Sequence, residues 1–289
     1  KNLTKRYKTK VQEIKGLKDV DLEIKDNDFI VIFGPSGSGK STLLNIMLGL
    51  EESYYGSVKL FNNTLSLLTS EEISKLRKEK VGIIYQQPYW IKALDTLGNV
   101  AFPLSISGVK KEKAYQIALN RLKNVGMEDW VSVLPTELSA GQQQKVALAR
   151  ALVTDPTLII ADEPTGNLDY NSGQSLSKYL KDLKNQGKTI IMVTHNIDNL
   201  DYADRLVHLI DGRIAEDISI TPQNISEVKK NLIDKDRTQK IAEELSKLKS
   251  EGVLNKKNES YKRNLFRETF STLKTILLTL VLSITTLIY

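Results

Sequence analysis

The chain is 289 residues long, has a formal net charge of +6 and contains no cysteine. This length allows one large α/β domain with additional segments, or two small domains. The lack of cysteine excludes a disulfide scaffold, thiolate catalysis and zinc–cysteine sites, and with only His195 and His208 a histidine-rich metal centre is not expected. The positive charge suits a nucleotide, an anionic lipid or a nucleic acid as partner, or a lysine-rich solvated surface.

Apolar runs along the first 220 residues alternate between strand and helix patterns. Strands are predicted around VQEIKGLKDVDLEI and in the buried run DFIVIFG, after which PSGSGKS turns into a helix, STLLNIMLGL. The region from about Pro88 to Asp155 is predicted to be rich in helices. Further strands are predicted in TLIIAD, KTIIMVTH and RLVHLID, with the helix SGQSLSKYLKDLKNQG between the first two. The pattern predicts an α/β fold with a mostly parallel sheet covered on both faces.

A phosphate-binding motif, GPSGSGKST, lies between a predicted strand and a predicted helix. Its glycines let the backbone wrap a polyanion with several N–H groups pointing inward, and the helix adds its positive N-terminal end. Lys40 is expected to reach the β- and γ-phosphates, and the Ser41 hydroxyl to bind Mg²⁺. The motif therefore predicts a nucleoside triphosphate site, formed by Gly34, Pro35, Ser36, Gly37, Ser38, Gly39, Lys40, Ser41 and Thr42.

Two adjacent carboxylates end the predicted strand TLIIAD. Asp162 is expected to hold Mg²⁺, and Glu163 to accept a proton from the water that attacks the γ-phosphate. His195 follows the strand TIIMVT, so it should lie at the same edge of the sheet and donate to the γ-phosphate. His208 lies inside an apolar strand and is interpreted as a core histidine.

Two further residues are weaker candidates. Gln86 follows the apolar run VGII and could bind Mg²⁺, sense it and the attacking water, and pass that state to the helical region, with Gln87 as the alternative glutamine. Tyr7 precedes the first strands and could stack on a purine, or it could be an ordinary surface tyrosine.

The stretch LSAGQQQKVALARALVTDPTLIIADEPTGNLD resembles the signature, Walker B and D-loop segments of ATP-binding cassette (ABC) ATPases. The resemblance covers roughly residues 1–220 and implies the P-loop cassette fold, with antiparallel β and helical subdomains, binding ATP and Mg²⁺. It also implies a head-to-tail homodimer, in which the signature of one copy contacts the γ-phosphate on the other. Ser139 would offer its hydroxyl, Gly141 its backbone N–H, and a helix starting near Gln142 its N-terminus.

Two other residues follow from the same resemblance. Asp169 of the D-loop is expected at the nucleotide site. Ala140 stands where the family usually has glycine, which is tolerable unless its φ angle is positive. With the other family residues in place, both composite sites of a homodimer should hydrolyse ATP.

Within the family, DEPTGNLD and GQQQKVALARAL are similar to a branch that contains LolD lipoprotein-releasing proteins, MacB-type exporters and the cell-division ATPase FtsE. This similarity implies ATP-driven export or extraction of a peptide, lipoprotein or drug. The alternative is an FtsE-like regulatory ATPase that signals through a membrane partner without transport. Nucleic acid is not expected as a partner, because cassette ATPases of that class usually have tandem cassettes or a long coiled-coil insertion, and this sequence shows neither.

The end of the chain is apolar and has a basic flank. The run from Thr275 to Tyr289 carries no charge, and it is shorter than the ~20 residues that cross a bilayer. Before it, a helix with one apolar face is predicted to lie at a membrane interface, and basic residues mark the cytoplasmic side. The apolar face comprises Leu265, Phe266, Thr269, Phe270 and Leu273, and the basic residues are Lys262, Arg263, Arg267 and Lys274.

These features predict three regions: a cassette at 1–220, a charged linker or tail subdomain at 221–260, and an interfacial helix with the start of a transmembrane helix at 261–289. A permease would then be fused downstream or be a separate chain. The alternative is a buried C-terminal helix in a soluble protein. Because KNLTKRYKTK lacks the apolar stretch of a signal peptide, we expect the ATPase on the cytoplasmic side of the cell membrane.

Overall fold

A computed structural model describes residues 1–8, 13–52 and 54–235 of the chain. The chain divides into two units, residues 1–229 and 230–289, and every strand and helix numbered below belongs to the first. Among the described residues, no helix has the length and apolar character needed to cross a bilayer. The predicted interfacial and transmembrane segments at 261–289 lie outside the described residues, as does most of the charged segment at 221–260.

The first unit contains both strands and helices, with groups of strands separated by one or more helices. The strands are β1 (Leu3–Lys8), β2 (Glu13–Val20), β3 (Phe29–Phe33), β4 (Tyr54–Tyr55), β5 (Lys59–Leu60), β6 (Asn63–Thr64), β7 (Val81–Ile84), β8 (Leu158–Asp162), β9 (Thr189–Thr194), β10 (Arg205–Ile210) and β11 (Arg213–Ser219). The helices are α1 (Lys40–Met47), α2 (Ser70–Lys80), α3 (Thr96–Ser105), α4 (Lys111–Asn124), α5 (Ala140–Leu152) and α6 (Tyr170–Asn185). Short 3₁₀ turns lie between them, and residues 225–235 are helical.

The central sheet has six strands in the order β11-β10-β3-β9-β8-β7. The five strands from β10 to β7 are parallel, and β11 pairs with β10 in the antiparallel direction at the edge. Strands β3, β8 and β9 are almost entirely buried, as expected for parallel strands covered on both faces. In β11 half-buried residues alternate with exposed ones, which is typical of an edge strand. The predicted mostly parallel sheet is therefore confirmed.

Two smaller β elements accompany the central sheet. Strands β2, β1 and β4 form an antiparallel sheet, and β5 pairs with β6 in a hairpin. The region between β7 and β8 contains α3, α4 and α5, which confirms the predicted helix-rich middle.

His208 lies in the core, on β10, and only 4% of its surface is exposed. Its Nδ1 is 3.3 Å from Glu216 Oε2, and its ring is tilted against Phe33. This matches the interpretation of His208 as a core histidine.

The sheet determines where the polar candidates meet. Strands β3, β7, β8 and β9 are parallel, so their carboxyl ends lie at one edge of the sheet. The phosphate loop follows β3, Asp162 ends β8 and Glu163 comes next, His195 follows β9, and Gln86 lies two residues after β7.

Candidate nucleotide-binding site

The phosphate loop surrounds the ammonium group of its own lysine, Lys40. Lys40 Nζ donates to the carbonyl oxygens of Gly34, at 2.7 Å, and Pro35, at 2.8 Å. Gly39 has φ +102°, and a Cβ there would lie 2.5 Å from the Gly16 carbonyl oxygen, so only glycine fits. The loop therefore holds Lys40 at its centre, at the first residue of α1.

The rest of the loop suits a polyanion. Ser38 is 3% exposed, and within the described part of the chain its Oγ has no hydrogen-bond partner. A buried hydroxyl without a partner is costly unless a ligand supplies one, and a phosphate oxygen can. Ser36, Gly37 and Ser41 lie at the exposed side of the loop, and Thr42 is half-buried. These features fit a bound nucleotide phosphate chain.

Replacing Lys40 with alanine is expected to weaken nucleotide binding by about 10- to 100-fold, because a charged hydrogen-bond donor to the phosphates is lost. Titration with a fluorescent ATP analogue measures this effect. The control is Lys113→Ala, which removes an exposed lysine of α4. Unchanged affinity in Lys40→Ala would show that Lys40 does not contact the nucleotide.

Glu163 and His195 are in direct contact. His195 Nδ1 is 2.9 Å from Glu163 Oε2, and the His195 backbone N–H points to the same oxygen at 3.4 Å. Glu163 has φ +47°, a strained conformation for a residue with a side chain. Its backbone is fixed by its N–H to the Val193 carbonyl oxygen, at 2.8 Å, and by its own carbonyl oxygen, which accepts from Gly166. The carboxylate is thus held in a defined position at the sheet edge.

The carboxylates of Glu163 and Asp162 interact electrostatically with Lys40 in the phosphate loop. Burial lowers the pKa of the Lys40 ammonium, an effect opposed by the negative charges of Glu163 and Asp162. Burial raises the pKa of the Asp162 carboxyl, helped by Glu163 and opposed by Lys40. The three groups therefore act on one another across one site.

A buried polar network supports the Glu163 and His195 segments. The Asn199 amide nitrogen donates to Thr194 Oγ1, at 3.1 Å, and to Thr165 Oγ1, at 3.3 Å, and its amide oxygen accepts from Ser177. Asn199, Ser177 and Thr194 are each at most 2% exposed. The network joins the end of β9 to the loop that follows Glu163 and to α6.

Gln86 reaches the same loop from β7. Its Nε2 lies 2.9 Å from where a Cβ of Gly166 would stand, so a larger residue there would displace it. The Asn167 side chain donates to the Gln86 carbonyl oxygen at 3.3 Å. The structure thus brings Gln86 beside the Glu163 segment.

The donor set fits Mg²⁺. Ser41, Gln86 and Asp162 would offer a hydroxyl, an amide oxygen and a carboxylate, the hard oxygen ligands that this ion takes. Across residues 1–8, 13–52 and 54–235, no cluster of three or more His, Asp or Glu side chains could hold a metal alone. Mg²⁺ usually shares few protein ligands with substrate phosphates, so such a cluster is not required.

The signature segment LSAGQ caps α5. Ser139 is the N-cap: its Oγ accepts from the Gln142 N–H at 3.4 Å, and the Gln142 side chain accepts from the Ser139 N–H at 3.0 Å. The helix begins at Ala140 rather than near Gln142, so Gly141 lies in its first turn. Ala140 has no positive φ, and its methyl group is therefore accommodated. The Ser139 hydroxyl can still donate its own proton to a phosphate.

Asp169 and Tyr7 have structural partners in the chain. Asp169 is the N-cap of α6, and hydrogen bonds from Ser172 lower the pKa of its carboxyl. The Tyr7 hydroxyl donates to Thr42 Oγ1 at 3.2 Å, which places its ring beside the start of α1. The Lys5 ammonium lies 5.1 Å from the centre of that ring.

Sequence reasoning missed the residues that support the site. These are Thr165, Gly166, Asn167, Ser177, Thr194 and Asn199. Thr165, Gly166 and Asn167 belong to DEPTGNLD, so the sequence indicated that they lie close to Glu163. Ser177 and Asn199 carried none, because their partners are distant in sequence.

Comparison with known proteins places this geometry in a family. The ABC transporter family profile matches residues 17–166. The chain is 40% identical over 216 residues to the macrolide export ATP-binding/permease protein MacB of Chlorobaculum tepidum, covering 75% of this chain and 33% of that protein. It is 41% identical over 222 residues to the uncharacterized ABC transporter ATP-binding protein MJ0796 of Methanocaldococcus jannaschii, covering 74% of this chain and 93% of that protein.

The fold comparison agrees with the sequence comparison. A dimeric structure of the MJ0796 cassette in a post-hydrolysis state, bound to ADP and Pi, matches with a TM-score of 0.72 and 39% identity, covering 76% of this chain and 97% of that one. The chain spans about a third of the length of the MacB relatives and nearly all of MJ0796. The chain belongs to the ABC transporter family, and its P-loop fold is that of the family's ATP-binding cassette ATPase.

Proposed function

We propose that this cassette binds ATP between two head-to-tail copies and that Glu163 is the base for its hydrolysis. The observation that carries the proposal is the Glu163 carboxylate, held by the His195 ring at 2.9 Å and electrostatically coupled to Lys40. A carboxylate fixed beside a phosphate loop can accept a proton from a water aligned with the γ-phosphate. The dimeric state of the related MJ0796 cassette supports the assembly.

The residues of each copy would act in defined roles. Lys40 exchanges the carbonyl oxygens of its own loop for phosphate oxygens, and His195 orients Glu163 and donates to the γ-phosphate. Ser139 and the Gly141 N–H contact the nucleotide held by the other copy, with Asp169 nearby and Tyr7 against the purine. Ser41, Asp162 and Gln86 would hold Mg²⁺, which when bound neutralises phosphate charge.

In the cell, the cassette is proposed to drive export or extraction of a peptide, a lipoprotein or a drug. The similarity to MacB proteins supports export, and the similarity to the cassette-length MJ0796 leaves the permease as either a fused region or a separate chain. Residues 1–220 would form the cassette, 221–260 a linker and 261–289 the approach to the bilayer. The ATPase would face the cytoplasm at the cell membrane.

A vesicle assay tests this role. The native assembly is extracted from membranes, reconstituted in lipid vesicles and supplied with ATP and a labelled macrolide, peptide or lipoprotein. Export predicts ATP-dependent displacement of one of these compounds and faster hydrolysis in its presence. Hydrolysis without displacement of any of them would contradict export and favour the FtsE-like alternative, an ATPase that signals through a membrane partner.

A further inference from the structure

The loop that carries Gln86 is fastened to the signature helix α5 by several side chains. The Gln144 side chain donates to the Tyr85 carbonyl oxygen at 3.3 Å, and Arg150 donates to the Tyr89 carbonyl oxygen at 2.7 Å. The Trp90 indole N–H donates to the Gln143 side-chain oxygen at 2.9 Å. Gln143, Gln144 and Arg150 all belong to α5.

The Gln86 loop is attached to α5 at two separated points, Gln143 and Arg150. Arg150 also lies over the Trp90 ring, with its guanidinium carbon 4.6 Å from the ring centre. Gln143 and Arg150 are about 10 Å apart along the helix, at ~1.5 Å per residue. Fastening a loop at two such points restricts its rotation about the helix as well as its separation from it.

Gln143 also extends the attachment to the signature itself. Its side-chain nitrogen donates to the Leu138 carbonyl oxygen at 2.9 Å, and its backbone N–H donates to the Ser139 carbonyl oxygen at 2.8 Å. One glutamine therefore bridges Trp90 to the turn that presents Ser139.

We propose that Trp90, Gln143 and Arg150 form a clamp that makes the Gln86 loop and the signature helix move as one body. They are positioning residues: Gln86 meets the nucleotide of its own copy, while Ser139 meets that of the other. The clamp would set the position of Ser139 according to the state of the nucleotide that Gln86 contacts. This inference rests on the proposed composite site.

Conservative variants of the full chain test the clamp. Trp90→Phe removes the indole N–H but keeps an aromatic ring under Arg150, and Gln143→Leu removes both side-chain bonds at similar size. Each is expected to lower kcat for ATP at least about fivefold, the effect of one lost hydrogen bond, while ADP affinity stays within about twofold. The double variant should be no worse than the poorer single variant. Trp130→Phe, the same change at the other tryptophan, is the matched control.

Several results would overturn the clamp. These are a kcat within about twofold of the unsubstituted chain in both single variants, losses that multiply in the double variant, or a parallel loss of ADP affinity. The last would mean that the loop acts on the phosphate site directly. If the unsubstituted chain hydrolyses no ATP, the proposed function is wrong. The clamp is then tested by a measurement that does not require ATP hydrolysis.

That measurement is the fluorescence of Trp90. In a Trp130→Phe background Trp90 is the only tryptophan. If loop and helix move together, ATP leaves the Trp90 emission maximum unshifted in this background and shifts it once Gln143→Leu is added. An equal ATP-induced shift with and without Gln143→Leu would contradict the clamp.

Discussion

We expect Glu163→Gln to lower ATP turnover by at least about 100-fold, because a general base usually contributes this factor or more. The amide has nearly the shape of the carboxylate, and its oxygen can still accept from His195. It cannot take a proton from water. Nucleotide affinity should therefore be retained, because the binding groups in the phosphate loop are untouched. Phosphate release measured at saturating ATP gives the turnover, and titration with a fluorescent analogue gives the affinity.

The control for this variant is Glu112→Gln, which makes the same change at an exposed position of α4. It should hydrolyse ATP at the normal rate. Normal turnover in Glu163→Gln would remove Glu163 from the role of base. A loss of nucleotide binding equal to the loss of turnover would instead assign Glu163 to binding.

Gly141→Trp stops turnover without removing ATP from a single copy. Gly141 lies in the first turn of α5, where a Cβ would stand 3.3 Å from Ser172 Oγ, the end of a small side chain. An indole at this position would cover the helix N-terminus that is proposed to meet the other copy's γ-phosphate. We expect turnover to fall at least about 100-fold, the effect of removing one preorganised donor group.

Two measurements separate a blocked site from a damaged fold. Thermal unfolding and ATP-analogue affinity of Gly141→Trp should match those of the unsubstituted chain, since the phosphate loop lies elsewhere in the cassette. Full turnover in this variant would contradict a composite site. Weaker nucleotide binding with normal unfolding would place Gly141 next to the nucleotide of its own copy.

The phosphate loop and the strand-end acids could be predicted because their signals are local. GPSGSGKST lies between an apolar strand and a helix, and Asp162 and Glu163 close another apolar strand, so the parallel sheet brings both to one edge. His195 could be placed by the same reasoning. Helix α5 begins at Ala140, two residues before the predicted start near Gln142; the Ser139–Gln142 capping box marks this start, while Gly141, a poor helix former, argues against it.

Other features depend on contacts between distant residues, and periodicity carries no information about them. Asn199 meets Thr165 and Ser177, and Gln143 meets Trp90, across 53 residues in the last case. The short strand β4 and the hairpin β5–β6 have two residues in each strand, too few to produce an apolar pattern. The edge strand β11, RIAEDIS, was also missed, because its half-buried residues include a glutamate and its exposed ones an alanine, which gives a weak apolar pattern even though the Asp-Gly turn before it is a typical hairpin signal.

The central claim is that ATP joins two copies into one pair of sites. Light scattering of the Glu163→Gln chain, with ATP and then with ADP, tests it most directly. In this variant the loss of ATP hydrolysis should keep the two ATP-bound copies from dissociating. We predict the mass of one chain, 32.5 kDa, with ADP, twice that mass with ATP, and a single chain with ATP once Gly141→Trp is added. A single-chain mass with ATP in Glu163→Gln would contradict the composite site.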